Sequence, residues 1–343
     1  MREIAAGLDL LEHATGIVIP VYFHPDSDVA LGRDLVGSTV HMFAREVADP
    51  AAICLSVDGP GPAVVIAQDV AAIFGVQVVV GQENRGKFGA VAAGMARLLA
   101  SPHLRYLAAV DQDGDHFANE LLNFVRAAEH VVQSTGSDRV LVLGNRRSAH
   151  RPLGFLRAEQ EELANRLLLD ALAYHAAVTG DPLRLEYLAT VAPQPDFHSG
   201  YKLFSRDVAQ AVFDAPPPLA GLDAAAAYRH ACEAVMVVEA HLSGAILAGV
   251  NRPTYDEQPI SLFAAYNRAR LAADMILWPC RRLDVPGPFV AQWLANHLPT
   301  LLLGTLVPQG QDELRAIRDL VLTAYDLDPA TTQPPAFTRP RFV

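Results

Sequence analysis

Tyr106-Leu107-Ala108-Ala109-Val110-Asp111-Gln112-Asp113-Gly114-Asp115-His116 is the stretch that decides the fold. An apolar run of strand type ends abruptly in carboxylates at alternate positions. In an extended chain, residues i, i+2 and i+4 project to one side, so Asp111, Asp113 and Asp115 are expected to point at one spot. Carboxylates gathered there repel one another unless a cation lies between them, and hard oxygen donors suit Mg²⁺, Mn²⁺ or Ca²⁺. A divalent cation at the carboxyl end of a strand is a common way to hold a diphosphate. The competing reading is a solvated strand-to-helix turn, with Asp115 or Asn119 capping the next helix.

Working outward, the first half alternates apolar runs at 16–23, 51–57, 76–80, 106–110 and 140–143 with helical patterns at 29–45, 63–74, 90–100 and 118–133. Such alternation predicts an α/β fold, a mostly parallel sheet covered by helices on both faces. Ligands of such sheets bind beyond the carboxyl ends of the strands, where His24, Asp58, Asn84 and Asp111 all fall. The second half reads as a long helix at 157–178, Pro-rich loops at 193–195 and 216–218, a helix at 224–241, a strand at 244–250 and three helices at 261–277, 289–303 and 311–325. We expect a donor-binding half at 1–150, an acceptor half of the same domain at 151–262, a helical extension at 263–330 and a surface tail at 331–343.

Bulk properties narrow the function classes. The 343 residues are 51% hydrophobic, enough to bury a large core, and the net charge of −11 argues against a general nucleic-acid surface. Apolar stretches are interrupted by charge, as at Glu233 and Glu239, so no integral membrane segment is expected. No secretory signal is evident. Cys54, Cys232 and Cys280 form neither a metal spacing nor a disulfide framework, which suits a reducing cytoplasm.

Two further segments bear chemistry. Asn84-Arg85-Gly86-Lys87-Phe88-Gly89-Ala90 follows an apolar run and opens a helix, where glycines, a helix amino end and two cations favour an anion. A Gly-rich turn with solvated charges is the plain alternative, and the spacing excludes a Walker loop. Asp58-Gly59-Pro60-Gly61 ends the second strand; its acid suits a ribose or a base edge, or a tight turn. Pro20-Val21-Tyr22 ends the first, and Tyr22 offers a ring face to a base or simply fills the core.

In this order, these segments resemble the family-2, A-type glycosyltransferases of the GT-A fold, with the closest look that of polyprenyl-phosphate mannosyl- and glucosyltransferases. Residues 17–22 look like their opening strand, Val57-Asp58-Gly59 like their nucleoside-contacting strand end, and Glu83-Asn84-Arg85-Gly86-Lys87 with Ala90 and Gly94 like their third-strand motif. Residues 111–116 are similar to their Asp-Ala-Asp-Gly-Gln-His. Ser199-Gly200-Tyr201-Lys202-Leu203-Phe204-Ser205-Arg206 is similar to their acceptor-side segment. The resemblance covers roughly 16–262. It implies a DXD motif in which Asp111 and Asp113 hold Mg²⁺ or Mn²⁺, joined by Asp115, where the family often has Gln, and by His198. It implies donor contacts from Pro20, Tyr22, Asp58, Asn84, Gly86, Lys87 and Asp111, an Arg252 that meets phosphate opposite Lys87, and acceptor contacts from Ser199, Gly200 and Tyr201.

Two departures stand out. Where the family has Asn-Glu after its first strand, this chain has Phe23-His24, and where membrane-linked members carry terminal spans, this chain carries soluble helices. Soluble relatives such as mannosylglycerate and glucosylphosphoglycerate synthases glycosylate small acids.

The implied reaction is metal-dependent transfer from a UDP- or GDP-sugar to an acceptor hydroxyl or phosphate, on a small molecule or a lipid phosphate. An inverting course needs a base. Glu233 leads, with burial expected to raise its pKa; Asp223 and, less so, Glu239 follow, and a helix-surface Glu233 is the plain alternative. Two other classes stay open: a nucleotidyltransferase on a similar sheet, and a non-catalytic nucleotide-sugar-binding protein. The assembly is open between a monomer and a homodimer.

Overall fold

In the computed structural model, which describes residues 2–148, 153–188, 194–255, 267–305 and 309–331, the expected alternation is borne out. Seven strands form one sheet: β1 (Thr15–Val21), β2 (Ile53–Val57), β3 (Gln77–Val80), β4 (Tyr106–Ala109), β5 (Val140–Arg146), β6 (Lys202–Ser205) and β7 (Ile246–Arg252). Their order is β3-β2-β1-β4-β6-β5-β7. Every pairing is parallel except those of β6, which runs antiparallel to β4 and β5. Strands buried on both faces read as continuous apolar runs, and Ile17, Val18, Ile19, Ile53, Leu55 and Leu107 are all fully buried.

The helices of the first half are α1 (Arg2–Ala14), α2 (Val29–Phe43), α3 (Pro62–Phe74), α4 (Lys87–Leu99) and α5 (Leu121–Thr135). Their starts follow local chemistry. Asp28 caps α2 by accepting the N–H groups of Ala30 and Leu31. Pro62 opens α3 at a position where a missing N–H costs nothing. In α5, Leu121, Phe124, Val125, Ala128 and Val131 form the buried stripe that a 3.6-residue period places on one face.

The second half brings α6 (Phe155–Thr179), α7 (Arg206–Phe213), α8 (Cys232–Leu242), α9 (Arg268–Arg282), α10 (Gly287–Gly304) and α11 (Gly310–Ala324). Four features differ from the sequence reading. Helices α1 and α7 were not expected, β6 was read only as part of the acceptor-side segment 199–206, and the helix expected over 224–241 is broken. A π-helical turn at Ala226–His230 precedes α8. Such turns re-aim side chains and are frequent at functional sites. Residues 189–193, 256–266 and 332–343 lie outside the described residues, and with them fall Pro193, the start of the helix expected over 261–277 and the tail.

Because β6 enters between β4 and β5, the two halves share one sheet. Arg206, at the start of α7, donates to the carbonyls of Leu99, Ser101 and Leu104 and so closes the carboxyl end of α4. Among the described residues no helix is long and apolar enough to cross a membrane.

Candidate functional site

The carboxyl ends of β1, β2 and β4 open on a cleft of about 310 Å³. One wall holds Pro20, Val21, Tyr22, Asp58, Asn84, Gly86, Lys87, Asp111, Gln112 and Asp113. The other holds Arg157, Glu161, His198, Arg229, His230, Cys232, Glu233, Leu271 and Met275.

The carboxylate stretch is not extended. Strand β4 ends at Ala109, and the chain then turns, with Gly114 at φ 79° and the Asp115 N–H on Asp113 Oδ1 at 3.2 Å. A turn breaks the two-residue alternation, so the three carboxylates do not share a face. Asp111 and Asp113 line the cleft. Asp115 points away: its Oδ1 accepts the Tyr255 N–H (2.8 Å) and its Oδ2 faces Arg252 (3.3 Å). His116 fixes the turn by accepting the Asp111 N–H on Nδ1 (2.8 Å), and its ring stacks on Tyr201.

Lys87 opens α4 and reaches Asp111 (2.6 Å) and Glu233 (2.8 Å). Burial works against its ammonium, but the two carboxylates outweigh it and hold the pKa well above the usual lysine value. Burial likewise works against the Asp111 charge, and the Lys87 ammonium more than offsets it. At Asp113 the balance goes the other way: burial, then repulsion from Asp111, outweighs the pull of Lys87 and pushes it up to about 6. Glu233 corrects the sequence reading. Burial alone would raise its pKa, yet Lys87 and Lys202 bring it down to about 2, which makes it a weak base. It also accepts the Cys232 thiol (2.7 Å).

Asp58 holds the loop ahead of α4, accepting the N–H groups of Arg85 (2.8 Å) and Gly86 (2.9 Å). Gly86 sits at φ 102°, and a Cβ there would lie 2.6 Å from the Tyr228 carbonyl, so the π-helical turn packs directly on this loop. Arg229 of that turn donates to the Asn84 carbonyl (2.6 Å).

His198 lines the opposite wall. Asn165 Oδ1 accepts from its ring Nδ1 (2.7 Å) and its backbone N–H (3.2 Å), which leaves Nε2 as a lone pair. Asn165 is turned toward Asp196, which Arg146 holds in a two-point ion pair. Burial keeps the imidazole neutral, with its pKa down at about 4. His198 Nε2 and Asn84 Oδ1 are buried atoms of two cleft-lining residues and have no hydrogen-bond partner among the described residues, an arrangement that suits a ligand.

The other sequence candidates lie outside the cleft lining. Ser199 is buried, with its hydroxyl against Arg252. Gly200 backs the Lys87–Asp111 pair so closely that a Cβ would lie 2.5 Å from Asp111 Oδ2. Tyr201 is core, stacked between His116 and Phe124. Arg252 is 1% exposed and braces Asp115, so it does not face Lys87 across the cleft. Asp223 is exposed, caps Ala226 and pairs with Arg270. Glu239 pairs with Arg282.

The sequence reading missed His230, Asp274, Leu271 and Met275. His230 Nδ1 lies 2.7 Å from a carboxylate oxygen of fully buried Asp274, which Arg270 also holds. The only sequence signal was a lone Asp inside an otherwise apolar helical stretch.

Among the described residues no three His, Cys, Asp or Glu side chains already sit at mutual metal-binding distance. The donor set still fits a cation: two carboxylates that repel one another, and a histidine of the same lining whose Nε2 has no partner among the described residues. Diphosphate oxygens and water would complete the shell.

No family model matches the chain, and no curated protein matches it in sequence. Among solved structures, it is similar to glucosyl-3-phosphoglycerate synthase from Mycobacterium tuberculosis in complex with Mn²⁺, uridine diphosphate and glucosyl-3-phosphoglycerate. The identity is 17% and the TM-score 0.48, over 81% of this chain and 82% of that one. It is also similar to mannosyl-3-phosphoglycerate synthase from Rubrobacter xylanophilus, at 15% identity and a TM-score of 0.47, over 82% of this chain and 77% of that one.

Proposed function

We propose that this chain is a metal-dependent glycosyltransferase that moves a sugar from a UDP- or GDP-sugar to a hydroxyl or phosphate of a small-molecule or lipid-phosphate acceptor in the cytoplasm. The observation that carries the reading is the grouping of Asp111, Asp113 and the Lys87 ammonium at the amino end of α4, in one cleft with Tyr22 and Asp58. This is the chemistry a nucleoside diphosphate needs: a platform for the nucleoside and opposite charge for the phosphates.

Asp111, Asp113 and His198 would hold Mg²⁺ or Mn²⁺, which supplies charge neutralisation of the departing diphosphate. Lys87 adds a fixed cation beside it, and Glu233, held ionised, keeps that ammonium placed and charged. An imidazole oriented by a buried carboxylate is a common proton-accepting pair, so His230 with Asp274 takes over the role first expected of Glu233. Leu271 and Met275 bring the helical extension into the acceptor side, so 263–330 works with the domain rather than apart from it.

A thermal melt with UDP, GDP and ADP, each with and without Mn²⁺, tests the reading. One nucleoside diphosphate is expected to stabilise the protein only with the metal, by about 2.7 kcal/mol at a hundredfold excess over its Kd. No Mn²⁺-dependent shift with any of them would overturn it. Release of the nucleoside diphosphate on sugar transfer, rather than of pyrophosphate, separates this enzyme from a nucleotidyltransferase.

A further inference from the structure

The ladder between β1 and β4 stops just short of the cleft for a covalent reason. Val110 donates its N–H to the Val18 carbonyl at 3.0 Å. In a parallel pair the next rung would run from the N–H of residue 20 to the Val110 carbonyl. That residue is Pro20, which has no N–H. The ladder therefore loses the rung that would lead to Tyr22 on one side and the carboxylate turn on the other.

A side chain stands in for the missing rung. Gln112 Oε1 accepts the Tyr22 N–H (2.9 Å), and Gln112 Nε2 donates to the Tyr22 carbonyl (2.8 Å). A primary amide is suited to this because it offers one acceptor and a donor in a single plane. The backbone of Gln112 also meets α2: the fully buried Thr39 Oγ1 lies 3.0 Å from the Gln112 carbonyl and 3.0 Å from the Leu35 carbonyl of its own helix, and shares its one proton between them. Gln112 is thus anchored to a helix by its main chain and to β1 by its side chain. Its sequence neighbours on either side, Asp111 and Asp113, are the carboxylates of the cleft, and Tyr22 lines the same wall.

We infer that Gln112 is a positioning residue that couples the nucleoside end of the donor site to its metal-diphosphate end. The inference rests on the donor reading given above. Without the clamp, no hydrogen bond among the described residues joins Tyr22 directly to the 111–115 turn, and the Thr39 contact reaches that turn from α2 alone. A ligand that spans both ends then has to set their spacing itself. Metal and nucleotide should consequently help each other bind in the intact protein and do so much less once the clamp is cut.

Two measurements on the full chain test this, with Gln112→Met, which keeps the length and removes both hydrogen bonds, and Gln112→Glu, which keeps an acceptor for the Tyr22 N–H. The first is amide exchange of ligand-free protein. Exchange at Tyr22 is expected to speed up about tenfold or more in Gln112→Met and to stay protected in Gln112→Glu. Equal exchange in wild type and Gln112→Met overturns the clamp. The second is titration with UDP and GDP, with and without Mn²⁺. The gain in nucleotide affinity on adding Mn²⁺ is expected to shrink about tenfold in Gln112→Met, with the ligand-free melting temperature unchanged. An undiminished gain overturns the coupling. A lower melting temperature with the gain intact assigns Gln112 to stability alone and overturns it too. Wild-type protein that binds neither nucleotide overturns the donor reading and the coupling with it, while the exchange arm still decides whether the clamp exists.

Discussion

The two walls of the cleft are built by different rules. The donor wall is a row of chain ends at one edge of the sheet: Pro20 and Tyr22 finish β1, Asp58 follows β2, Asn84 and Gly86 lead into α4, and Asp111 and Asp113 follow β4. Pro20 and Tyr22 close the first apolar run, Asp58 and Asp111 come directly after theirs, and Asp113, Asn84 and Gly86 follow within six positions, so the place of each in space follows from its place in the chain. The opposite wall draws Arg157 and Glu161 from α6, His198 from a loop, Arg229 and His230 from a π-helical turn, Cys232 and Glu233 from α8, and Leu271 and Met275 from α9. Arg157 and Glu161, and Leu271 and Met275, are i,i+4 neighbours on their helices, but no local period relates one segment to another, and long-range packing brings the segments together. A wall of the first kind can be found by scanning strand ends, and one of the second kind cannot.

If this division is right, substitutions on the donor wall should act on nucleotide and metal binding, and those on the opposite wall on turnover or the acceptor. The largest effect is expected from Asp113→Ala, which removes a carboxylate of the metal pair. Mn²⁺-dependent affinity for the nucleoside diphosphate should fall by roughly a hundredfold or more, with the melting temperature of the ligand-free protein kept or raised, since the repulsion between Asp113 and Asp111 is lost. Calorimetric titration checks it, and unchanged affinity would remove Asp113 from the donor wall.

His230→Asn comes next. Turnover should drop by about a hundredfold, as for loss of a proton acceptor, while nucleotide affinity is untouched. Glu233→Gln is its counterpart, because Glu233 touches both walls through Lys87. It should weaken nucleotide binding by about tenfold through loss of one charged partner of Lys87. A turnover defect in Glu233→Gln with intact nucleotide affinity would reverse the two assignments.

A smaller change is expected from Asp274→Asn, which leaves His230 and Arg270 without their buried carboxylate. Stability should fall by about 1–3 kcal/mol, read by chemical denaturation, with the nucleotide site preserved in the folded protein. Loss of Mn²⁺-dependent nucleotide binding in that variant would show that the walls are not separable.

The smallest effect sits at the seam between the halves. Glu120 is buried near Arg252 and Asp115, and burial pushes its carboxyl up to about 7. The folded state therefore holds the proton more tightly than the unfolded chain. The corresponding stabilisation is complete below the usual carboxyl pKa and is lost as the pH rises through about 7. Glu120→Gln, neutral throughout, should flatten the fall in melting temperature between pH 5 and pH 8. Parallel curves for wild type and variant would contradict this.

Much of the frame was legible from residue patterns. The runs at 16–23, 51–57, 76–80, 106–110, 140–143 and 244–250 all became strands of one sheet, because apolar continuity reports burial on both faces. Strand β6 was harder to read. Four residues, Lys202–Ser205, lie antiparallel between two strands far apart in sequence, and their buried Lys202 looks like a surface residue until Ser199 O and Glu233 are seen beside it. The break ahead of α8 was hidden too, since Ala224–Ala227 is helical filler by composition and the π-helical turn arises where the segment meets Gly86.

By itself the sequence determined the layered α/β frame and the line of donor candidates along the strand ends, because hydrophobic period and the residues that stop a strand are local properties. The end of the β1–β4 ladder takes both levels: Pro20 carries no N–H, but the register that sets Pro20 at that rung is tertiary. Only the tertiary structure decided which charges meet. Asp115 pairs with Arg252 rather than with Asp111 and Asp113 because the chain turns at Gly114. Glu233 is acidic rather than basic because Lys87 and Lys202 lie against it, and His230 gains a carboxylate from a helix remote in sequence. Electrostatic character depends on what lies within a few ångströms, and in this protein those neighbours come from distant parts of the chain.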